Sequence, residues 1–167
     1  MNRLVLAFLT GLIALVPTSA ISQQKSLKDQ LVGTWHLVSW DARMKDGSKA
    51  NPMGAGQPKG AMIFDAAGGL YFIVIGDIPK LVSNVRQNTT PEENKAIALG
   101  TFAYFGTYTV NEADKSFNVR VDRSSYGNQV GTNNKRLITS LTQDELKYTT
   151  PVTTSGGSND WAWRRAK

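Results

Sequence analysis

Arg120, Arg136, Tyr71, Tyr104 and Tyr108 are the residues of this chain with types and spacing suited to chemistry. Each sits in a strand-like run, and polar-tipped aromatics with cations on one inner face are the groups that orient a small molecule in an apolar pocket. There Arg120 or Arg136 would meet a carboxylate or hydroxyl of a hydrophobic or amphipathic ligand. A second chemistry takes Arg120, Asp122 at i+2 on the same face, and a tyrosine as the acid and base groups of a confined isomerase or cyclase. A third alternative has no ligand: Tyr104 and Tyr108 are then core residues, Arg120 pairs with Asp122, and the protein is a structural module.

Other chemistries are excluded by what is missing. His36 is the single histidine and there is no cysteine, so multi-histidine metal sites, thiolate sites and disulfides are all unavailable. His36 lies between Trp35 and Leu37, the setting of a packed strand residue. Asp65-Ala66-Ala67-Gly68-Gly69 is not a phosphate loop, because no Gly-Lys-Ser/Thr follows and a strand rather than a helix comes next. No cofactor is called for. The formal charge of +6 is spread along the chain without the concentrated basic stripe of a nucleic-acid binder.

Residues 1–20 have the form of an export signal: Arg3, an apolar run over residues 4–16, and the small residues Thr18, Ser19 and Ala20. The apolar run is shorter than the roughly 18 residues of a spanning helix, so cleavage after Ala20 and a periplasmic or secreted protein without a stable membrane anchor are expected. Residues 21–167 then form one domain. Its length is ordinary for a single core.

The elements that must position the candidate residues follow in order. Residues 31–41 alternate so that Trp35, Leu37 and Ser39 share one face and His36, Val38 and Trp40 the other, both bulky, as in a strand covered on both sides. Asp46-Gly47 marks a hairpin, and a second hairpin joins residues 61–64 to the apolar run 70–75 across Gly68-Gly69. Thr90-Pro91-Glu92-Glu93 is a helix entry with Thr90 as cap, Glu93 closing a capping box, and Gly100 placed for a left-handed stop. Phe102, Tyr104, Gly106 and Tyr108 share a face of the next strand, where Gly106 opens room between two tyrosines. Runs over 116–122, 129–141, 145–150 and 161–165 complete the chain. About eight to ten short strands and one helix predict an all-β, antiparallel up-and-down β-barrel. Buried tryptophans in the first and last strands, Trp35 and Trp163, favour closure between them.

Gly33-Thr34-Trp35-His36-Leu37-Val38-Ser39-Trp40 resembles the opening of the lipocalin-like domain family of bacteria and fungi, and Gly33-x-Trp35 is similar to the lipocalin Gly-x-Trp signature. The likeness continues through Asp46-Gly47, Pro58-x-Gly60, Phe64, Gly68, Tyr104-x-Gly106-x-Tyr108, Val121-Asp122-x-Ser124, Asn128-x-Val130-Gly131-Thr132, Arg136, Asp144-x-Leu146 and Trp163-x-Arg165. It implies a calycin-type barrel whose interior holds a small, mostly apolar molecule. It also implies an arginine, Arg136 or Arg165, stacked on Trp35 to close the barrel bottom. The chain departs from the family pattern at Arg120, where many relatives carry histidine, and at Gly127, where they often carry proline. No activity that needs that histidine is implied.

Overall fold

A helix of five residues and a long strand begin the described chain, and the seam they make with the last strand closes the molecule. The computed structural model describes residues 25–50, 53, 56–153 and 156–167; the expected export signal over residues 1–20 lies outside them. Helix α1 (Leu27–Leu31) starts at Ser26, whose hydroxyl accepts the Asp29 amide at 3.1 Å, and buries Leu27 and Leu31. Strands β1 (Gly33–Arg43), β2 (Lys49–Ala50), β3 (Lys59–Phe64) and β4 (Gly69–Ile75) follow. Helix α2 (Pro91–Gly100) then leads into β5 (Thr101–Asn111), β6 (Ser116–Ser124), β7 (Asn133–Leu141), β8 (Glu145–Thr150) and β9 (Ser158–Arg165). Each strand from β3 to β9 pairs antiparallel with the next, and β1 pairs with both β3 and β9. The result is a closed eight-stranded barrel, with β2 added beside the far end of β1. No helix among the described residues is long and apolar enough to cross a membrane.

Closure rests on one arginine. The Arg165 guanidinium lies 4.0 Å from the centre of the Trp35 ring, donates to the carbonyls of Val32 at 2.8 Å and Gln30 at 2.6 Å, and reaches the Gln143 carbonyl through Nε. Trp35 donates its indole N–H to the Leu31 carbonyl at 2.8 Å. One cation thus ties β9 to α1, to the start of β1 and to the β7–β8 turn. Gly33 has a φ of +129°, and a Cβ there would stand 2.7 Å from Arg165 Nη1. Glycine is needed for both reasons. This end is solid: Phe64 meets Tyr108 and Phe117 edge-on at 4.9 and 5.2 Å, Phe117 meets Tyr148 at 5.2 Å, and the Tyr108 hydroxyl donates to the Asp65 carbonyl at 3.0 Å.

Simple alternation breaks at bulges, and these set which residues face inward. The β1–β9 register shifts between Leu37 and Ser39, leaving Val38 outside and turning Trp40 onto the inner face with Trp35. A strict two-residue period had put Trp40 opposite Trp35. A second shift, between Phe105 and Gly106, places both Asp122 and Arg123 on the outer wall. At Gly106 an added Cβ would collide with the Arg120 carbonyl oxygen, so glycine serves the close approach of β5 and β6 rather than a gap between tyrosines. Helix α2 carries the expected capping box, with Thr90 Oγ1 accepting from the Glu93 amide and Glu93 accepting from the Thr90 amide. Gly100 is its last helical residue and not a left-handed stop: the chain passes straight into extended Thr101, and the absent Cβ leaves room for Ile78.

Replacing Arg165 by methionine removes the ring stack and three backbone contacts together. Arg165→Met is expected to lower stability by about 2–4 kcal/mol, and Arg165→Lys to recover less than half, because an ammonium cannot fork to several carbonyls. Urea unfolding midpoints at unchanged m-value measure this; a methionine variant as stable as the parent contradicts the clamp.

Candidate functional site

The end of the barrel away from Arg165 is hollow. The C-terminal ends of β1 and β8 and the N-terminal ends of β5, β7 and β9 surround a cavity of about 430 Å³ that opens to solvent. Its deep wall is aromatic. Trp40 stacks on Trp161 at 4.4 Å with ring planes 17° apart, Phe102 lies 6.1 Å from Trp40, and Tyr148 lies 6.1 Å from Trp161. Phe72 stacks on Tyr104 at 4.5 Å and fixes that ring from behind. The rim is apolar and exposed, formed by Met44, Leu99, Tyr126 and Val152. Helix α2 supplies Leu99 and Ala98 to this rim, so the helix borders the cavity mouth.

One wall is polar, and its charged member is Arg136. This residue is only 7% exposed and lines the cavity from β7, with Asn134 on the same strand, Thr150 on β8 and Asn159 on β9. Arg136 donates to the Lys135 carbonyl at 3.2 Å, and the hydroxyls of Tyr104 and Tyr148 are its polar neighbours. No aspartate or glutamate lines the cavity. The two ion pairs among the described residues, Lys135–Asp114 and Lys147–Glu145, are at the surface. The phenols do not neutralise the guanidinium: burial raises both above the ordinary tyrosine range, with Tyr104 adding to the rise at Tyr148 and Arg136 opposing it in part. Three more donors on cavity-lining residues, the indole N–H groups of Trp40 and Trp161 and the Thr150 hydroxyl, are buried without a partner among the described residues. The site therefore combines a buried cation and unpaired donors with acceptors that are all neutral.

The five residues named from sequence separate into three groups. Tyr104 and Arg136 meet in the cavity. Tyr108 faces inward but belongs to the solid end, below the cavity, where its hydroxyl is taken by Asp65. Tyr71 and Arg120, expected inside, stand on the outer wall. Tyr71 is 50% exposed, in a cross-strand row with Ile63 and Phe105. Arg120 is exposed with Asp122, while Phe117, Val119 and Val121 take the inner positions of β6. An acid-base pair of Arg120 and Asp122 thus has no access to the cavity. The cavity also uses residues that were not singled out: Trp40, Phe102, Tyr148, Thr150 and Trp161. Phe102 shares the parity of Tyr104 and Trp161 that of Trp163, which is a usable signal; the inward turn of Trp40 needs the bulge.

Comparison with known proteins agrees with the geometry. The lipocalin-like domain family matches residues 32–166. The chain belongs to the lipocalin-like domain family. Among solved structures, this lipocalin-like chain is similar to a lipocalin-like protein from Bacteroides uniformis, at 13% identity and a TM-score of 0.43, over 82% of this chain and 99% of that one. It is also similar to a redesigned β-barrel, at 15% identity and a TM-score of 0.45, over 84% of this chain and 96% of that one. A de novo designed fluorescence-activating β-barrel matches at 14% identity and a TM-score of 0.44, over 86% of this chain and the whole of that one. None of the curated proteins compared with the chain matches it.

Burial of the tyrosines sets an alkaline limit on stability. Unfolded tyrosines release their protons near about pH 10, whereas Tyr104, Tyr108 and Tyr148 hold theirs above the ordinary range in the fold. The stability they contribute is full below about pH 10 and is lost as pH rises beyond it, by up to about 1.4 kcal/mol per pH unit for each. Urea midpoints between pH 8 and 11 should fall accordingly, and Tyr148→Phe should make the decline shallower. Ionisation of Tyr148 near pH 10 in the still-folded protein contradicts this.

Proposed function

We propose that this lipocalin-like protein is exported and binds a small hydrophobic or amphipathic molecule at the open end of its barrel. The observation that carries the reading is the cavity of about 430 Å³, walled by aromatic rings and holding one buried cation. That volume falls within the roughly 300–1,000 Å³ of small-molecule sites, and an apolar lining with a few polar groups is their usual construction. A barrel serving only as a structural module has no need of unfilled space, since interiors otherwise pack to crystal density. Family membership supports the same role. The rim of Met44, Leu99, Tyr126 and Val152 offers apolar surface to a molecule entering from water.

The neutral fluorophore N-phenyl-1-naphthylamine tests the binding role. Saturable binding near one equivalent is expected, with loss of tryptophan emission from Trp40 and Trp161. Leu99→Lys places a charge at the rim on an exposed helix position and should weaken binding about tenfold without unfolding the protein. Absence of saturable binding overturns the role. Export predicts separately that protein recovered outside the cytoplasm begins at Ile21 by N-terminal sequencing; a chain that keeps residues 1–20 contradicts it.

A further inference from the structure

Building on the binding role proposed above, we propose that the ligand is an aromatic monocarboxylate, its acid group on Arg136 and its flat body against the aromatic wall. All thirteen carboxylates of the chain belong to described residues, and none is paired with Arg136 or lines the cavity. A guanidinium 7% exposed carries five N–H donors, and its acceptors are neutral: the Lys135 carbonyl and the hydroxyl oxygens of Tyr104 and Tyr148. A buried cation is ordinarily matched by an anion, because leaving it unmatched costs far more than burying a neutral group. The chain does not supply that anion. The ligand does.

The donor count narrows the acid group. Indole N–H groups at Trp40 and Trp161 and the Thr150 hydroxyl lack partners, and Tyr104 remains a neutral phenol, whereas the Tyr148 hydroxyl donates to Met62 Sδ at 3.9 Å. Such a set suits a group that only accepts, and a carboxylate accepts up to four hydrogen bonds while forming a bidentate pair with arginine. A phosphate monoester would carry close to two negative charges, more than one buried arginine offsets, and the second cation of the site, Arg43, is exposed at the rim. A single negative charge fits one buried guanidinium.

The shape of the wall narrows the body. Trp40, Trp161, Phe102, Tyr104, Tyr126 and Tyr148 present rings rather than flexible aliphatic chains to the cavity. Aromatic ligands gain offset-stacked and edge contacts on such a wall beyond what area burial gives. A long alkyl tail gains area alone.

Calorimetric titration of the purified protein with 2-naphthoate, the neutral 2-naphthalenemethanol and decanoate tests each part. Naphthoate should bind at least tenfold tighter than the alcohol and tighter than decanoate. Arg136→Met should erase the preference for the acid, bringing the affinities of acid and alcohol within threefold of each other. Should that variant not fold, the wild-type protein still decides: the Arg136 Nε–H resonance should shift on addition of naphthoate and stay in place with the alcohol. An alcohol that binds as tightly as the acid, or an Arg136 resonance indifferent to naphthoate, overturns the anionic assignment while leaving the binding role intact. Decanoate binding as tightly as naphthoate overturns the aromatic body. Failure of all three compounds and of the neutral fluorophore overturns the binding role itself.

Discussion

The stack of Arg165 on Trp35 is the contact on which the rest of the barrel depends. A sheet of eight antiparallel strands has two edges, and each would expose a row of unpaired backbone groups. Pairing Trp35 with Arg165 and Trp40 with Trp161 across the seam removes both edges at once. The arginine also donates to part-buried carbonyls at the end of α1 and to an exposed one in the β7–β8 turn. With that end tied down, Leu31, Trp35, Phe64, Tyr108 and Phe117 join one buried cluster. The aromatic-walled cavity lies at the other end.

What occupies the open end follows from how the strands are phased. The bulge in β1 turns Trp40 in, and the alternation of β6, with Phe117, Val119 and Val121 inside, turns Asp122 out, so the cavity gains an indole and has no carboxylate. Arg136 is thereby left in an aromatic chamber with phenols that burial keeps neutral. Such an arrangement costs stability in the empty protein, since desolvating a cation without its anion is unfavourable. Access to water through the open mouth offsets part of that cost, and a ligand's acid group would offset more. Stability and binding are set against each other at one residue.

Local signals in the chain were the most legible. Gly33-x-Trp35 and the buried tryptophans of the two terminal strands pointed to closure because their types are forced by one contact. Thr90, Pro91 and Glu93 announced α2 because capping chemistry acts within a single turn. Facing was harder to read. Tyr71 lies in an apolar run with bulk on both sides, so parity alone did not tell the barrel interior from its outer wall. Parity groups Arg120 with Asp122 on one face but does not say which face is inner, and Phe117, Val119 and Val121 hold the inner positions of β6. Trp40 was misplaced by one residue of bulge, a feature made by partner strands rather than by the run itself. Tyr104 and Arg136 come from different strands, and only the closed topology brings them together.

One end of this barrel is packed with side chains, and the proposed role of the other is to receive an acid. A crystal structure of the protein soaked with 6-bromo-2-naphthoate addresses it directly, because the anomalous signal of bromine locates the ligand without bias. The account predicts a single bromine peak inside the open end, the carboxylate on Arg136, and an unchanged stack of Arg165 on Trp35. A peak only on the outer row of Ile63, Tyr71 and Phe105, or an open end filled by its own side chains, would contradict it.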